Sequence, residues 1–339
     1  MNQQEPLLEV DGLHTGFTID GDMHYAVNNV SFSVKPKEVV CIVGESGCGK
    51  SVMSLSIMDL LPKHNGKIDK GAIRFQGRDL TMLSDKEMNH IRGRDISMIF
   101  QEPMTALNPV LTIGFQMDEV LMNHTDLKAD EIRRRSVSLL DQVGISRSDQ
   151  IVNEYPHQLS GGMRQRVMIA MAIACQPKLL IADEPTTALD VTVQAQILEL
   201  IQKIQDEVGM AMLLITHDLG VVAEMADRVV VMYAGQVVED TDVDTLFHDP
   251  KHPYTKALLR SIPRMDEKQE ELDTIKGIVP SLKNMPQQGC RFVDRCPEAM
   301  DKCREIDPQL GEEAQNHAVR CLLYDASFPN EQKQRGVGS

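Results

Sequence analysis

The N-terminal third of the chain alternates between short apolar runs and polar turns, a pattern that predicts strands. Leu7–Val10 opens the series, and Val30–Val34 alternates apolar and polar positions as a half-buried strand does. Val39–Val43 is continuously apolar, which is typical of a strand buried on both faces. A helix is predicted to begin at Lys50. Further strands are predicted at 72–75 and 96–100.

The middle of the chain changes to a helical period. Apolar positions recur every three to four residues over Asp130–Val143 and Arg164–Cys175. Strands are then predicted at Leu179–Ala182, Met212–Ile215 and Val229–Met232, with a helix over Thr192–Glu207 between the first two. Strands that alternate with helices predict an α/β fold whose sheet is largely parallel.

Regular structure is predicted to stop near residues 247–253, where the sequence reads Asp-Pro-Lys-His-Pro. The charged stretch 264–273 predicts a helix with solvated ends. A loop at 280–286 then leads into a tail that holds four of the seven cysteines.

Composition excludes several classes of protein. The chain has 339 residues, 42% of them hydrophobic, and carries 35 basic against 50 acidic residues, a net charge of −15. This balance argues against binding to nucleic acid or to an anionic lipid surface. The longest apolar run, Val167–Cys175, is too short to cross a bilayer, and the N-terminus lacks the pattern of a signal peptide. We therefore expect a cytosolic protein, and any pore it serves must come from another chain.

A glycine-rich segment follows the buried strand and precedes the predicted helix, as in a phosphate-binding Walker A loop. Its glycines let backbone N–H groups wrap phosphates at a helix N-terminus. Lys50 is predicted to reach the β- and γ-phosphates, and Ser51 to bind Mg²⁺. The Lys50 charge and the helix N-terminus are also expected to favour the thiolate of Cys48. An unliganded strand-to-helix turn is the weaker alternative. The loop comprises Gly44, Glu45, Ser46, Gly47, Cys48, Gly49, Lys50 and Ser51.

A second pattern is the apolar run 179–182 that ends in Asp183 and Glu184. This is a Walker B arrangement, in which Asp183 is predicted to hold Mg²⁺ through water and Glu184 to act on the attacking water as a general base or an orienting group. Alone, two acids at a strand end are common. Together with a Walker A loop they are specific.

The segment 159–165, Leu-Ser-Gly-Gly-Met-Arg-Gln, resembles the signature sequence of the ABC ATPases. That resemblance implies a dimer in which Ser160, Gly161, Gly162 and Gln165 complete the ATP site of the partner subunit. It also implies roles for further residues: Gln101 as the Q-loop glutamine that meets Mg²⁺ and water, Asp190 in a D-loop (188–190), His217 as the switch histidine, and Tyr25 as the aromatic that stacks on adenine.

The resemblance narrows at the C-terminus, where residues 252–259, 277–280 and 289–297 are similar to the extension of oligopeptide and dipeptide importer ATPases. It implies a P-loop NTPase fold with a RecA-like core, an antiparallel β subdomain and a helical subdomain at about 103–170. The expected domains are an ATPase at 1–250 and a Cys-rich extension at 251–339. Expected partners are a second ATPase subunit (a paralogue or an identical chain), two permeases and an extracytoplasmic solute-binding protein, with the chain peripheral on the cytoplasmic face of the membrane.

Alternatives remain at this stage. Some nickel importers share the extension, and a non-transport ABC ATPase or a regulatory nucleotide-binding module is a more remote possibility. The net charge disfavours the DNA-directed members, and the intact Glu184 and His217 disfavour the regulatory module.

The tail cysteines, Cys290, Cys296, Cys303 and Cys321, predict an iron–sulfur cluster. Their spacings do not match the close pairs of structural zinc sites. A basic residue lies within one position of each cysteine, and such a ring of cations would balance the charge of a [4Fe–4S] core. These basic residues are Arg291, Arg295, Lys302, Arg304 and Arg320. Members of the resembled family carry such a cluster in this region. Buried free thiols or a zinc site are the alternatives.

Overall fold

The computed structural model describes residues 5–101, 106–187, 189–261, 275–314, 316–325 and 328. The predicted helix at 264–273, the first residues of the predicted helical subdomain (103–105) and Ala188 of the D-loop lie outside these ranges. Two compact units are distinguished. The first is formed mainly by Val34–Val39 and Met82–Ile215, and the second by Leu8–Ser33, Val40–Thr81 and the residues from Thr216 onward.

The strands and the helices are numbered separately, each in the order in which they occur along the chain. The strands are β1 (Leu8–Ile19), β2 (Asp22–Val34), β3 (Val39–Val43), β4 (Gly66–Phe75), β5 (Arg78–Asp79), β6 (Ile96–Ile99), β7 (Leu179–Asp183), β8 (Ala211–Ile215), β9 (Arg228–Tyr233), β10 (Gln236–Asp242), β11 (Gly311–Ala314) and β12 (His317–Val319). The helices are α1 (Lys50–Ile57), α2 (Asp85–Ile91), α3 (Ile113–His124), α4 (Ala129–Gln142), α5 (Ser148–Ile151), α6 (Gly161–Ile173), α7 (Val191–Val208), α8 (Leu219–Met225), α9 (Val243–His248) and α10 (Pro253–Arg260).

The first unit contains a parallel sheet in which β7 lies between β6 and β8. All five residues of β7 and of β8 are buried, as the continuous apolar runs predicted. The predicted helices 130–143, 164–175 and 192–207 are confirmed as α4, α6 and α7. Helix α6 begins at Gly161 rather than Arg164 because the Ser160 side chain caps it and accepts the Met163 N–H.

The second unit holds an antiparallel sheet in the order β2-β1-β4-β5. Strands β1 and β2 are much longer than the sequence pattern predicted. They are joined at Asp20 and Gly21, which both have positive φ, as a two-residue hairpin turn requires. Val10 and Leu13 of β1 are buried, and Val30 and Val34 of β2 are buried as well, so each strand has an apolar face.

The second unit also holds the strands that lead from the phosphate loop to the C-terminal tail. Strand β3 pairs in parallel with β9, and β9 pairs antiparallel with β10. The C-terminal strands β12 and β11 extend this sheet beyond β10. Strands β10 to β12 were not predicted, because β10 has only two apolar residues among its seven, β11 is exposed throughout and β12 is only three residues long. Within the described part of the chain, no helix is long and apolar enough to cross a membrane.

Candidate functional site

The predicted phosphate loop connects β3 to α1, as the sequence indicated. Two of its glycines admit no side chain: a Cβ on Gly44 would lie 2.2 Å from the Met232 carbonyl oxygen, and one on Gly49 would lie 2.4 Å from that of Ala26. Both residues also have positive φ, so the loop depends on glycine here. The Lys50 side chain is held within the loop. Its Nζ donates to the carbonyl oxygen of Gly44 at 2.6 Å and to that of Glu45 at 3.2 Å.

Cys48 does not have the predicted thiolate character. Its side chain is fully buried, and its Sγ lies 3.9 Å from Lys50 Nζ. Burial raises the pKa of the Cys48 thiol, and the Lys50 ammonium offsets this only in part. The expectation from charge alone was wrong because it left out the desolvation of the thiolate.

The first unit brings together two of the three predicted catalytic residues. Gln101 Nε2 donates to Glu184 Oε2 at 3.1 Å, and Thr187 Oγ1 donates to the same oxygen at 2.9 Å. Asp183 is the last residue of β7 and is buried. Glu184 follows it with a φ of 46°, which turns the chain sharply out of the strand. Thr187 was missed in the sequence, where a single threonine three residues after the acidic pair gave no signal.

The signature residues fall into two groups. Ser160 and Gly161 are exposed at the N-terminus of α6, where backbone N–H groups and the helix dipole favour an anion. Gly162, next along the chain, is partly buried. Gln165 is only 1% exposed, and its Nε2 donates to the Pro185 carbonyl oxygen at 2.5 Å. Its side chain therefore supports the segment that follows Glu184 in its own chain.

The remaining predicted residues lie at element ends. Asp190 caps α7 and accepts the Val193 N–H at 3.0 Å, and His217 follows β8 and precedes α8. Tyr25 lies in β2, where its hydroxyl donates to Asp69 Oδ2 at 2.6 Å. Its ring meets His14 edge to face, with 5.7 Å between centroids.

The C-terminal region contributes two residues to the phosphate loop that the sequence did not reveal. Arg295 donates to both carboxylate oxygens of Glu45, at 2.7 and 3.0 Å. The Glu45 N–H donates to the Tyr254 hydroxyl at 2.9 Å. Arg295 had been noted only as a cation beside Cys296, and it lies 250 positions after Glu45 in the chain, too far for a local pattern.

The four tail cysteines line one small cavity, with a volume of about 10 Å³. Burial raises the pKa of Cys290 to about 11 and that of Cys296 and Cys321 to about 12, and the neighbouring thiols add to each of these shifts. Among the described residues, no three or more Cys, His, Asp or Glu side chains are placed to hold a single metal ion. The thiols thus converge without forming a mononuclear site.

The predicted ring of cations around these cysteines is only partly correct. Arg295, Lys302 and Arg304 each pair with a carboxylate, namely Glu45, Glu305 and Asp294. Arg320 is instead buried and donates to three main-chain carbonyl groups. Arg291, which is partly buried, donates to the Ala234 carbonyl oxygen. Burial lowers the pKa of both guanidinium groups, and the nearby Asp307 carboxylate offsets this in part.

Comparison with known proteins decides the family. Residues 27–187 match the family described as ABC transporter, and residues 238–303 match the one described as oligopeptide/dipeptide transporter, C-terminal region. The chain is 56% identical over 319 residues to the oligopeptide transport ATP-binding protein AppD of Bacillus subtilis, covering 94% of this chain and 97% of that one. The chain belongs to the ABC transporter family.

Further relatives agree with this assignment. The dipeptide transport ATP-binding protein DppD of Escherichia coli is 50% identical, over 95% of this chain and 99% of its own. The dimeric ATP-binding cassette MJ0796, solved in a post-hydrolysis state with ADP and Pi, is 29% identical with a TM-score of 0.63, covering 70% of this chain and 98% of the cassette. This ABC transporter subunit has the ABC ATPase fold and is an ATPase.

Proposed function

We propose that the chain is the ATP-hydrolysing subunit of an importer for short peptides. The observation that carries this proposal is the C-terminal match over residues 238–303, together with relatives at 50–56% identity that are named for oligopeptide and dipeptide transport. A nickel importer of the same subfamily is the alternative, and a non-transport ATPase the remote one.

In this function the phosphate loop binds the polyphosphate of ATP. Its backbone N–H groups and the Lys50 ammonium receive the negative charge, while Tyr25 stacks on the base. Mg²⁺ would be held by Ser51, Gln101 and Asp183, whose oxygen atoms suit a hard cation. Glu184 accepts the proton of the attacking water, and His217 stabilises the γ-phosphate. The hydrogen bonds from Gln101 and Thr187 support this role because they fix the Glu184 carboxylate.

The partner subunit completes the ATP site. Ser160, Gly161, Gly162 and Asp190 act across the dimer in this proposal, and exposed backbone N–H groups at the start of α6 suit the γ-phosphate of a nucleotide bound by the other subunit. Gln165 is left out of this role because it is buried against Pro185.

The transporter would contain a second ATPase subunit, two permeases and an extracytoplasmic solute-binding protein, with this chain on the cytoplasmic face of the membrane. We assign residues 1–250 to the ATPase domain, including a helical subdomain at about 103–170, and residues 251–339 to a Cys-rich extension.

The extension is further proposed to hold a [4Fe–4S] cluster through Cys290, Cys296, Cys303 and Cys321. A four-iron cluster separates its ligand sulfurs more widely than a single ion does, which fits four thiols that line one cavity without forming a mononuclear site. The buried Arg320 and the partly buried Arg291 suit an anionic cluster. The cluster would stabilise the fold of the C-terminal tail by cross-linking its four cysteines. Anaerobically purified protein should be brown and contain about four irons per chain; stoichiometric zinc, or no metal, would contradict this.

The transport proposal is tested by reconstituting the complete transporter in vesicles and measuring uptake of labelled dipeptides, tripeptides and Ni²⁺. Uptake of peptides that requires ATP, and that a Lys50→Ala chain abolishes, is the expected result. Ni²⁺ uptake without peptide uptake would favour the alternative importer. ATP turnover with neither substrate imported would favour the non-transport ATPase.

A further inference from the structure

The second residue of the phosphate loop is a carboxylate that the C-terminal region holds in place. Arg295 donates two hydrogen bonds to the Glu45 carboxylate. This is the bidentate arrangement in which a guanidinium binds a carboxylate most strongly. The Arg295 side chain is only 6% exposed and that of Glu45 is 30% exposed, so water screens this pair less than it screens a fully exposed one. Glu45 raises the pKa of the Arg295 guanidinium, as a directly bound anion does.

The position of Arg295 is fixed from several sides. Its Nε donates to the Lys276 carbonyl oxygen at 2.9 Å, and a second nitrogen donates to that of Gly277 at 3.3 Å. The guanidinium also lies 5.6 Å from the centre of the Tyr233 ring. Since the main chain at 276–277 and a buried aromatic ring hold it, Arg295 reaches Glu45 as a pre-organised group.

The Glu45 backbone is tied to the same region. Its N–H donates to the hydroxyl of Tyr254, a fully buried residue. The Tyr254 ring packs against Tyr233 and Phe292, with centroid separations of 4.7 and 5.4 Å. Phe292 lies three residues before Arg295. One aromatic cluster therefore supports both the backbone contact and the charge contact to Glu45.

An unpaired carboxylate in this loop would weaken the binding of phosphate, and the ion pair with Arg295 prevents this. The loop must receive a polyphosphate, and an uncompensated Glu45 would repel it over a short distance. Lys50 supplies the attraction, but the negative charge of Glu45 would cancel much of it. With Arg295 bound, Glu45 contributes almost no net charge, and the Lys50 ammonium acts undiminished.

We propose that Arg295 is a positioning residue of the nucleotide site, which neutralises and orients Glu45 so that the C-terminal region sets the affinity of the phosphate loop for a nucleoside triphosphate. This inference rests on the proposed function of the loop. It assigns the C-terminal region an electrostatic role in ATP binding. This role is separate from the stabilisation of the tail by the proposed cluster.

The test is a titration of the full-length chain with a fluorescent ATP analogue and Mg²⁺ at physiological ionic strength. Arg295→Ala should raise the Kd about ten- to a hundred-fold, the scale expected when a partly buried carboxylate loses its partner beside a site for an anion. Arg295→Lys, which keeps the charge, should retain most of the affinity. The double variant Glu45→Gln/Arg295→Ala should bind within about threefold of wild type, because it removes the repelling charge as well.

Two reference variants complete the design. Arg304→Ala removes an exposed ion pair with Asp294 in the same region and should leave the Kd unchanged. Lys50→Ala should lose binding, which establishes that the titration reports on this loop.

The outcomes separate the possible explanations. Wild-type affinity in the Arg295→Ala protein would overturn the inference. So would a double variant as weak as Arg295→Ala, since that result would mean that Arg295 acts only by holding the fold. If Lys50→Ala bound as tightly as wild type, the proposed site itself would be wrong, and the inference would fall with it.

Discussion

At the scale of single residues, Glu184 has the surroundings of a positioned base. The positive φ turns it out of β7, its N–H donates to the Ile215 carbonyl oxygen at 2.9 Å, and Gln101 and Thr187 both donate to one of its oxygens. A carboxylate held in this way loses little entropy when it receives the proton of a water molecule. This geometry fits the general-base role proposed for Glu184.

We therefore expect Glu184→Gln to bind ATP and Mg²⁺ normally while hydrolysing ATP 10²–10⁴-fold more slowly, the usual loss for a missing general base. The measurement is phosphate release by the assembled transporter, with nucleotide binding measured in parallel. Glu207→Gln serves as the control because Glu207 is an exposed residue of α7 that pairs only loosely with Lys203, at 3.9 Å. Hydrolysis by Glu184→Gln at a rate near wild type would contradict the assignment of Glu184 as the general base.

Sequence patterns at this scale identify residues that act close together in the chain. They do not predict effects that depend on burial or on contacts between residues far apart in the sequence. Gly44, Gly49 and Lys50 follow from an eight-residue pattern, and the structure places them between β3 and α1, where the two glycines admit no side chain. The error at Cys48 came from counting a neighbouring charge without the desolvation that its full burial causes. The Arg295–Glu45 pair joins positions far apart in the chain, so no local pattern contains it.

At the scale of elements, the C-terminal strand β12 is anchored to β10 by a buried polar cluster. Glu239 is fully buried, and His317 Nε2 lies 2.8 Å from one of its oxygens. The backbone N–H groups of Lys251 and His252 donate to its two oxygens at 2.7 and 2.9 Å. Burial by itself raises the pKa of this carboxyl, but these hydrogen bonds more than offset it, and the pKa of Glu239 lies below its ordinary value.

A lowered carboxyl pKa in the folded state has a definite consequence for stability against pH. The ionised form stabilises the fold at pH values above the ordinary carboxyl pKa, and this contribution disappears as the pH falls through the lower folded-state value. Glu239→Gln should reduce the free energy of unfolding by about 1.5–3 kcal/mol near pH 7. Urea unfolding of both proteins between pH 7 and pH 4 checks this. The difference between them should shrink below about pH 4.5; a constant difference would contradict the account.

Elements were predicted well where a continuous apolar run or a helical period marks them, as in β3, β7, β8 and α7. The hairpin of β1 and β2 was underestimated because only fragments of each strand alternate clearly. Strands β11 and β12 had no usable signal: Gly311–Ala314 is exposed throughout, and β12 is only three residues long. The pairing of β12 with β10 depends on tertiary contacts such as His317–Glu239, which a local pattern does not contain, and β11 pairs in turn with β12.

At the scale of the whole molecule, the proposed mechanism requires two ATPase subunits. The start of α6 presents backbone N–H groups from a helix capped by Ser160, and both Ser160 and Gly161 are exposed to solvent. A helix N-terminus of this kind stabilises an anion that reaches it from outside. If that anion is the γ-phosphate of a nucleotide bound by the other subunit, closure of the dimer supplies stabilisation that a monomer lacks.

The isolated chain should therefore bind ATP but show little hydrolysis, and its activity should appear on assembly with the other subunits. The measurement is specific ATPase activity against protein concentration, first for the chain alone and then after addition of the partner ATPase and permeases. A Ser160→Arg chain, which fills the capped helix start with a bulky cation, should bind ATP as wild type does and still fail to activate a partner. Full activity in the isolated chain that does not depend on concentration would exclude a site completed in trans, since dilution separates subunits but leaves a site within one chain intact.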